Sequence, residues 1–151
     1  MYNALQAPAE AALAPGGGLA AAFLVGRVLF AAIFIVSGVN HFVKLGPYSQ
    51  YASAFKVPGP KLAVAVTGLM TLAGGLSILL GVAVRAGALL LAVFLVPVAF
   101  WMHRFWGLAD PMMAQNQQAH FWKNLTMAGA ALLIYYFSTV YPAAWVYALG
   151  R

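Results

Sequence analysis

The sequence predicts an all-α integral membrane protein: an antiparallel four-helix bundle with a long polar and aromatic loop after helix 1 and another after helix 3. Three observations carry this. Of 151 residues, 64% are hydrophobic and 7% charged, whereas a soluble domain needs roughly 25% charged residues to solvate its surface. Four apolar stretches each approach the ~20 residues that a helix needs to cross hydrocarbon. The link between the second and third is too short for anything but an antiparallel hairpin.

Taken in order, the elements are these. Residues 1–18 (MYNALQAPAEAALAPGGG) form an N-terminal tail. No Lys or Arg precedes the first apolar stretch, so a cleaved signal peptide is not expected. The Ala-rich part reads as a short interfacial helix, broken by Pro15-Gly16-Gly17-Gly18. The membrane domain covers 19–140, with spans at 19–42, 61–81, 85–105 and 121–140. Segments of this length satisfy their backbone hydrogen bonds in lipid as helices, not as barrel strands. Residues 43–60 form the longest loop. Residues 106–120 form a polar loop with a short interfacial helix, for which Asp110 is the cap and Pro111 the first residue. Residues 141–151 read as an interfacial tail. Trp101, Trp106 and Trp122 mark one end of the bundle, and Tyr141, Trp145 and Tyr147 the other, as aromatic belts do.

Four spans place both termini on one side. The long-loop end holds Lys44, Lys56, Lys61, Arg104 and Lys123; the other holds Arg85 and Arg151, with Arg27 part-way into span one. The positive-inside rule therefore favours cytoplasmic long loops and external termini. Small residues carry the helix packing that lipid cannot drive by hydrophobic gain. They are Gly38 on span one, and Ala63, Thr67, Gly68, Thr71, Gly74, Gly75 and Gly81 on span two. Pro97 is expected to kink span three.

Composition excludes several chemistries. Glu10 and Asp110 are the sole acids, too few for paired-carboxylate catalysis or carboxylate metal sites. The chain has no Cys, hence no disulfide, thiolate zinc site or iron–sulfur cluster. The eight Lys and Arg are scattered singly; they suit lipid head groups, not a nucleic-acid backbone. No catalytic residue and no metal site is assigned, since no two histidines share the i, i+4 spacing.

Polar residues gather at the long-loop end. His41 ends span one, His103 lies near the end of span three and His120 begins span four; Asn40, Arg104, Lys123 and Asn124 join them. Polar side chains in lipid are costly unless they face the interior, pair or serve a function. At 100° per residue, Arg27, Ser37 and His41 fall within about 80° and form one stripe down span one. These nine residues are the candidate ligand site. Histidines can donate to a quinone oxygen near neutral pH, and Arg or Lys can stabilise the reduced anion; anchoring to head groups is the plainer role. Arg27 has no acid within the spans. Its candidate partners are backbone carbonyls, Thr67, Thr71, a tyrosine, or a neighbouring subunit or ligand, the last favoured.

The segment Arg27-Val-Leu-Phe-Ala-Ala-Ile-Phe-Ile-Val-Ser-Gly38 resembles the opening of DoxX-family membrane proteins. Val57-Pro58-Gly59-Pro60, the Gly68…Gly74-Gly75…Gly81…Arg85 run, His103-Arg-Phe-Trp106 and Phe121-Trp-Lys-Asn124 follow in the family's order. The resemblance covers about 20–140 and implies a four-helix protein of a bacterial inner membrane. It also implies association with membrane redox assemblies, and it points to Arg27, Ser37, Gly38, His103, Phe121, Lys123 and Asn124. Many members carry a Glu where this chain has Thr71, which shifts weight from catalysis to an accessory role. The leading expectation is a non-catalytic subunit of a larger, quinone-linked membrane complex, with other integral subunits and lipids as partners. The second is a quinone-binding oxidoreductase subunit, quinone being the candidate cofactor. The third is a small transporter or lipid-binding protein.

Overall fold

The computed structural model describes residues 17–142, 145, 148 and 149. The expectations for residues 1–16 and for Tyr147 lie outside these. The described chain holds five helices and no strand: α1 (Gly17–Val43), α2 (Leu45–Ala54), α3 (Pro60–Leu80), α4 (Val84–Met102) and α5 (Pro111–Val140).

Three of them, α1, α3 and α4, are long and apolar enough to cross a membrane. Their outer faces require lipid: Leu29 and Leu62 are each 70% exposed, a degree that water does not tolerate along a whole helix face. The fourth expected span corresponds to α5, 30 residues long. It is not in that apolar class, because Gln115, Gln117, His120, Lys123 and Asn124 occupy its first half.

Two expected loops are helical. Residues 45–54 of the 43–60 loop form α2, where Pro47 falls in the first turn and so removes no helical hydrogen bond. Ser49 Oγ donates to the Leu45 carbonyl at 2.6 Å. The interfacial helix after Asp110 is not separate but is the start of α5. Asp110 Oδ1 accepts from the Met112 and Met113 amides at 2.8 and 3.3 Å, as its cap position predicted. No breaker then follows before Val140, so the helix runs on.

Helix α1 packs along α3, α3 along α4, and α4 along α5, with α2 lying on α3. Glycine sets the spacing. A Cβ on Gly38 would lie 2.8 Å from the Leu72 backbone nitrogen, and one on Gly68 would lie 2.6 Å from His41 Cβ. Gly75 meets Phe34 and the Ala31 carbonyl, Gly74 meets Leu91, and Gly87 meets Ser77. These contacts pair rising numbers on one helix with falling numbers on the next. Ala63 and Thr67, expected in the packing stripe, instead face a cavity. Thr71 is fully buried and bonds its own helix, at the Thr67 and Gly68 carbonyls. The core is Phe34, Ile78, Leu91, Leu95, Ala128 and Ala131. Pro97 stands inside α4 without ending it.

The end of α3 settles Arg27. A helix leaves its last four carbonyls without intrahelical partners. Here Ser77 O accepts from the Val82 amide, and Leu80 O from the Leu149 amide at 2.9 Å. Between them, Arg27 Nε donates to Ile78 O at 3.2 Å and Arg27 Nη2 to Leu79 O at 2.6 Å. The guanidinium also lies 5.4 Å from the Trp145 ring and 5.8 Å from the Phe23 ring. Gly81 adopts φ 71°, the left-handed turn that starts the hairpin. Arg27, 3% exposed, thus takes carbonyl partners within its own chain; a neighbouring subunit or ligand is not needed to satisfy it. Trp145, expected in an interfacial belt, is buried against Phe23.

Candidate functional site

A cavity of about 600 Å³ lies at the end of the bundle under α2, lined by residues from all five helices. Ligand pockets for small molecules commonly measure roughly 300–1,000 Å³. Its walls are largely apolar: Phe34, Phe94, Leu95, Val98 and Met127. Its polar groups come from separate elements. Ser37 and His41 come from α1, Tyr48 and Tyr51 from α2, His103 from the end of α4, and His120, Lys123 and Asn124 from α5.

Six of the nine candidate residues therefore converge: Ser37, His41, His103, His120, Lys123 and Asn124. The other three do not line the cavity. Arg27 is about 21 Å along α1 from His41, at ~1.5 Å per residue, and serves the end of α3. Asn40 is half-buried outside the cavity lining, and Arg104 is exposed on the loop. The 100° phase that grouped Arg27 with His41 was sound, but a shared face does not mean a shared depth.

Each imidazole is oriented by a neighbour. His41 Nδ1 lies 2.7 Å from the Ser37 carbonyl one turn back, and its ring sits edge-on to Tyr48 at 5.2 Å. His103 Nδ1 lies 2.9 Å from Gln117 Oε1, and Gln117 Nε2 donates to Tyr51 Oη at 3.3 Å. His120 Nδ1 lies 3.2 Å from Lys123 Nζ, and its ring stacks on His103 at 5.1 Å. Trp101 Nε1 donates to the Phe55 carbonyl at 3.0 Å, tying α4 to the end of α2. Asn124 is 6% exposed and lines the cavity. Among those residues no three His, Asp or Glu side chains are placed to hold a metal ion.

Sequence reasoning missed Tyr48, Tyr51 and Gln117 as site residues. Gln117, His120 and Asn124 follow at helical i, i+3 and i+4 steps. That signal was lost by reading 106–120 as loop.

His103 follows the last residue of α4, and His120 precedes the apolar part of α5. Burial holds both below the ordinary histidine pKa. The charge of Lys123 adds to the shift at each, while the Gln117 hydrogen bond opposes it at His103. A depressed folded-state value means that the unfolded chain binds protons first on acidification. Stability is therefore expected to fall as pH drops through about 6.5, the unfolded histidine value, and to level off below the folded values. Thermal melts in detergent from pH 8 to pH 5 measure this. A His103→Gln variant should show a flatter profile; an unchanged slope would show that these rings do not titrate with folding.

A family model for DoxX matches residues 22–104, more than half of the chain and ending just before the α5 wall of the cavity. Inner membrane protein YphA of Escherichia coli (strain K12) is 29% identical over 111 residues, covering 74% of this chain and 79% of that protein. Inner membrane protein YqjF of the same strain is 35% identical over 112 residues, with the same shares covered. No solved structure matches the chain. The chain belongs to the DoxX family and is an integral membrane protein.

Proposed function

We propose that this protein is a multi-pass inner-membrane protein, without catalytic machinery of its own, that holds a small amphipathic ring compound of the quinone class. The carrying observation is the cavity of about 600 Å³. Its apolar wall would take a ring and tail, while His41, His103, His120 and Asn124 present hydrogen-bonding groups to the polar substituents of the ring. The four long helices would cross the bilayer as one antiparallel bundle, with α5 turning its polar half inward.

An accessory place in a larger electron-transfer assembly is supported by one residue. Thr71 is buried in the bundle and its hydroxyl donates to the Thr67 and Gly68 carbonyls of its own helix, so no proton-handling group faces the interior there. The inner-membrane location draws on YphA and YqjF.

The test is extraction in mild detergent followed by mass spectrometry of the intact particle and of its organic extract. A stoichiometric quinone-class compound that is lost in His103→Ala is the expected result. An extract with no such compound, in a particle that still melts cooperatively, would sink the ligand reading. Migration as an isolated chain would remove the accessory role.

A further inference from the structure

The hydrogen bonds around the three imidazoles define which ring form the cavity accepts. A carbonyl oxygen can only accept, so His41 Nδ1, 2.7 Å from Ser37 O, carries the hydrogen. A neutral imidazole has one N–H, which leaves His41 Nε2 as an acceptor. The same holds for His103. Gln117 spends its amide nitrogen on Tyr51 Oη and presents Oε1 to His103 Nδ1 at 2.9 Å, so His103 Nε2 is also an acceptor. His120 differs. An ammonium can only donate, so Lys123 Nζ at 3.2 Å makes His120 Nδ1 the acceptor and leaves Nε2–H as a donor. The amide of Asn124, which lines the cavity, offers one group of each kind.

We propose that the cavity selects a ring bearing hydroxyl hydrogens, a quinol or other diphenol, over the oxidised dione. This deepens the ligand reading above and rests on it. A ring hydroxyl donates to an imidazole Nε2 and accepts from His120 or Asn124. A dione oxygen only accepts, so it would meet the lone pairs of His41 and His103 head-on. Discrimination by buried groups left unpaired is the form of selectivity that apolar packing alone does not supply.

The experiment is anaerobic equilibrium dialysis of the purified full chain in detergent at pH 8. The probes are a short-chain benzoquinone and its two-electron reduced quinol. The quinol is expected to bind at least tenfold more tightly, equivalent to raising the potential of the bound two-electron couple by about 30 mV. His41→Gln and His103→Gln place an amide N–H₂ within reach of the ring oxygen, and each should reduce the preference to threefold or less. Equal binding of the two forms by the wild-type chain, or tighter binding of the dione, overturns the selectivity. Binding of neither form at millimolar concentration overturns the ligand reading and this inference with it. The wild-type measurements decide the matter even where a variant fails to fold.

Discussion

Replacing Gly38 with Ala is expected to destabilise the protein by on the order of 2–3 kcal/mol, the cost of forcing atoms into a packed contact. The added Cβ would lie 2.7 Å from Leu72 Cβ, 2.8 Å from its backbone nitrogen and 2.9 Å from its Cα. Backbone cannot rotate away as a side-chain tip can, so α1 and α3 must separate. Separation also loosens the contacts of Gly75 with Phe34 and of Gly68 with His41, which lie along the same seam. The cavity wall would shift with them, because His41 stands on that seam. Gly26→Ala is the matched control. Nothing lies within 4 Å of its Cβ, and a helical glycine is roughly 0.5–1 kcal/mol worse than Ala, so this variant should melt at or slightly above the wild-type temperature. Thermal unfolding in detergent checks both; a Gly38→Ala protein that melts with the wild type would show that the seam can open without penalty.

Arg27→Met is expected to cost about 3 kcal/mol. The substitution keeps apolar bulk but strands the Ile78 and Leu79 carbonyls, and a buried polar group left unmatched costs about 1–3 kcal/mol. It also removes a cation from the negative end of the α3 dipole and from the Phe23 and Trp145 rings. Arg27→Lys should recover little, since a compact ammonium cannot reach two successive carbonyls and stack on rings together. The readouts are the melting temperature of the isolated chain and its protease sensitivity near Leu149, whose amide donates to the Leu80 carbonyl. If Arg27 instead serves a neighbouring subunit, Arg27→Met will melt as the wild type when isolated and fail in assembly.

Much of the fold was legible in the sequence because lipid imposes a coarse rule. Apolar runs of the length of α1, α3 and α4 have few alternatives to helix, and the Gly81 hairpin follows from its shortness. Asp110-Pro111 announced the start of α5 through the local chemistry of the helix N-terminus. The same local reading took residues 43–60 for a loop, although 45–54 are helical. It also ended the polar helix at residue 120, because a change from polar to apolar composition looks like a boundary when it is a change of environment along one helix.

The site was half legible. Clustering of His41, His103 and His120 at one end followed from their positions along the spans. Which of their neighbours share the cavity did not, since that depends on how far apart the helices stand. Gln117 reaches His103 across 14 residues of chain and Tyr51 across 66, contacts that no periodicity within one segment reveals.

The sequence by itself determined that lipid is the solvent, where the chain turns, and that its polar groups crowd one end. Those are properties of composition and local pattern. Tertiary structure alone decided what Arg27 does. Its partners are main-chain carbonyls, which every residue type carries and which no sequence marks as unsatisfied. They become visible once α3 ends beside α1 and the guanidinium lies within hydrogen-bond reach.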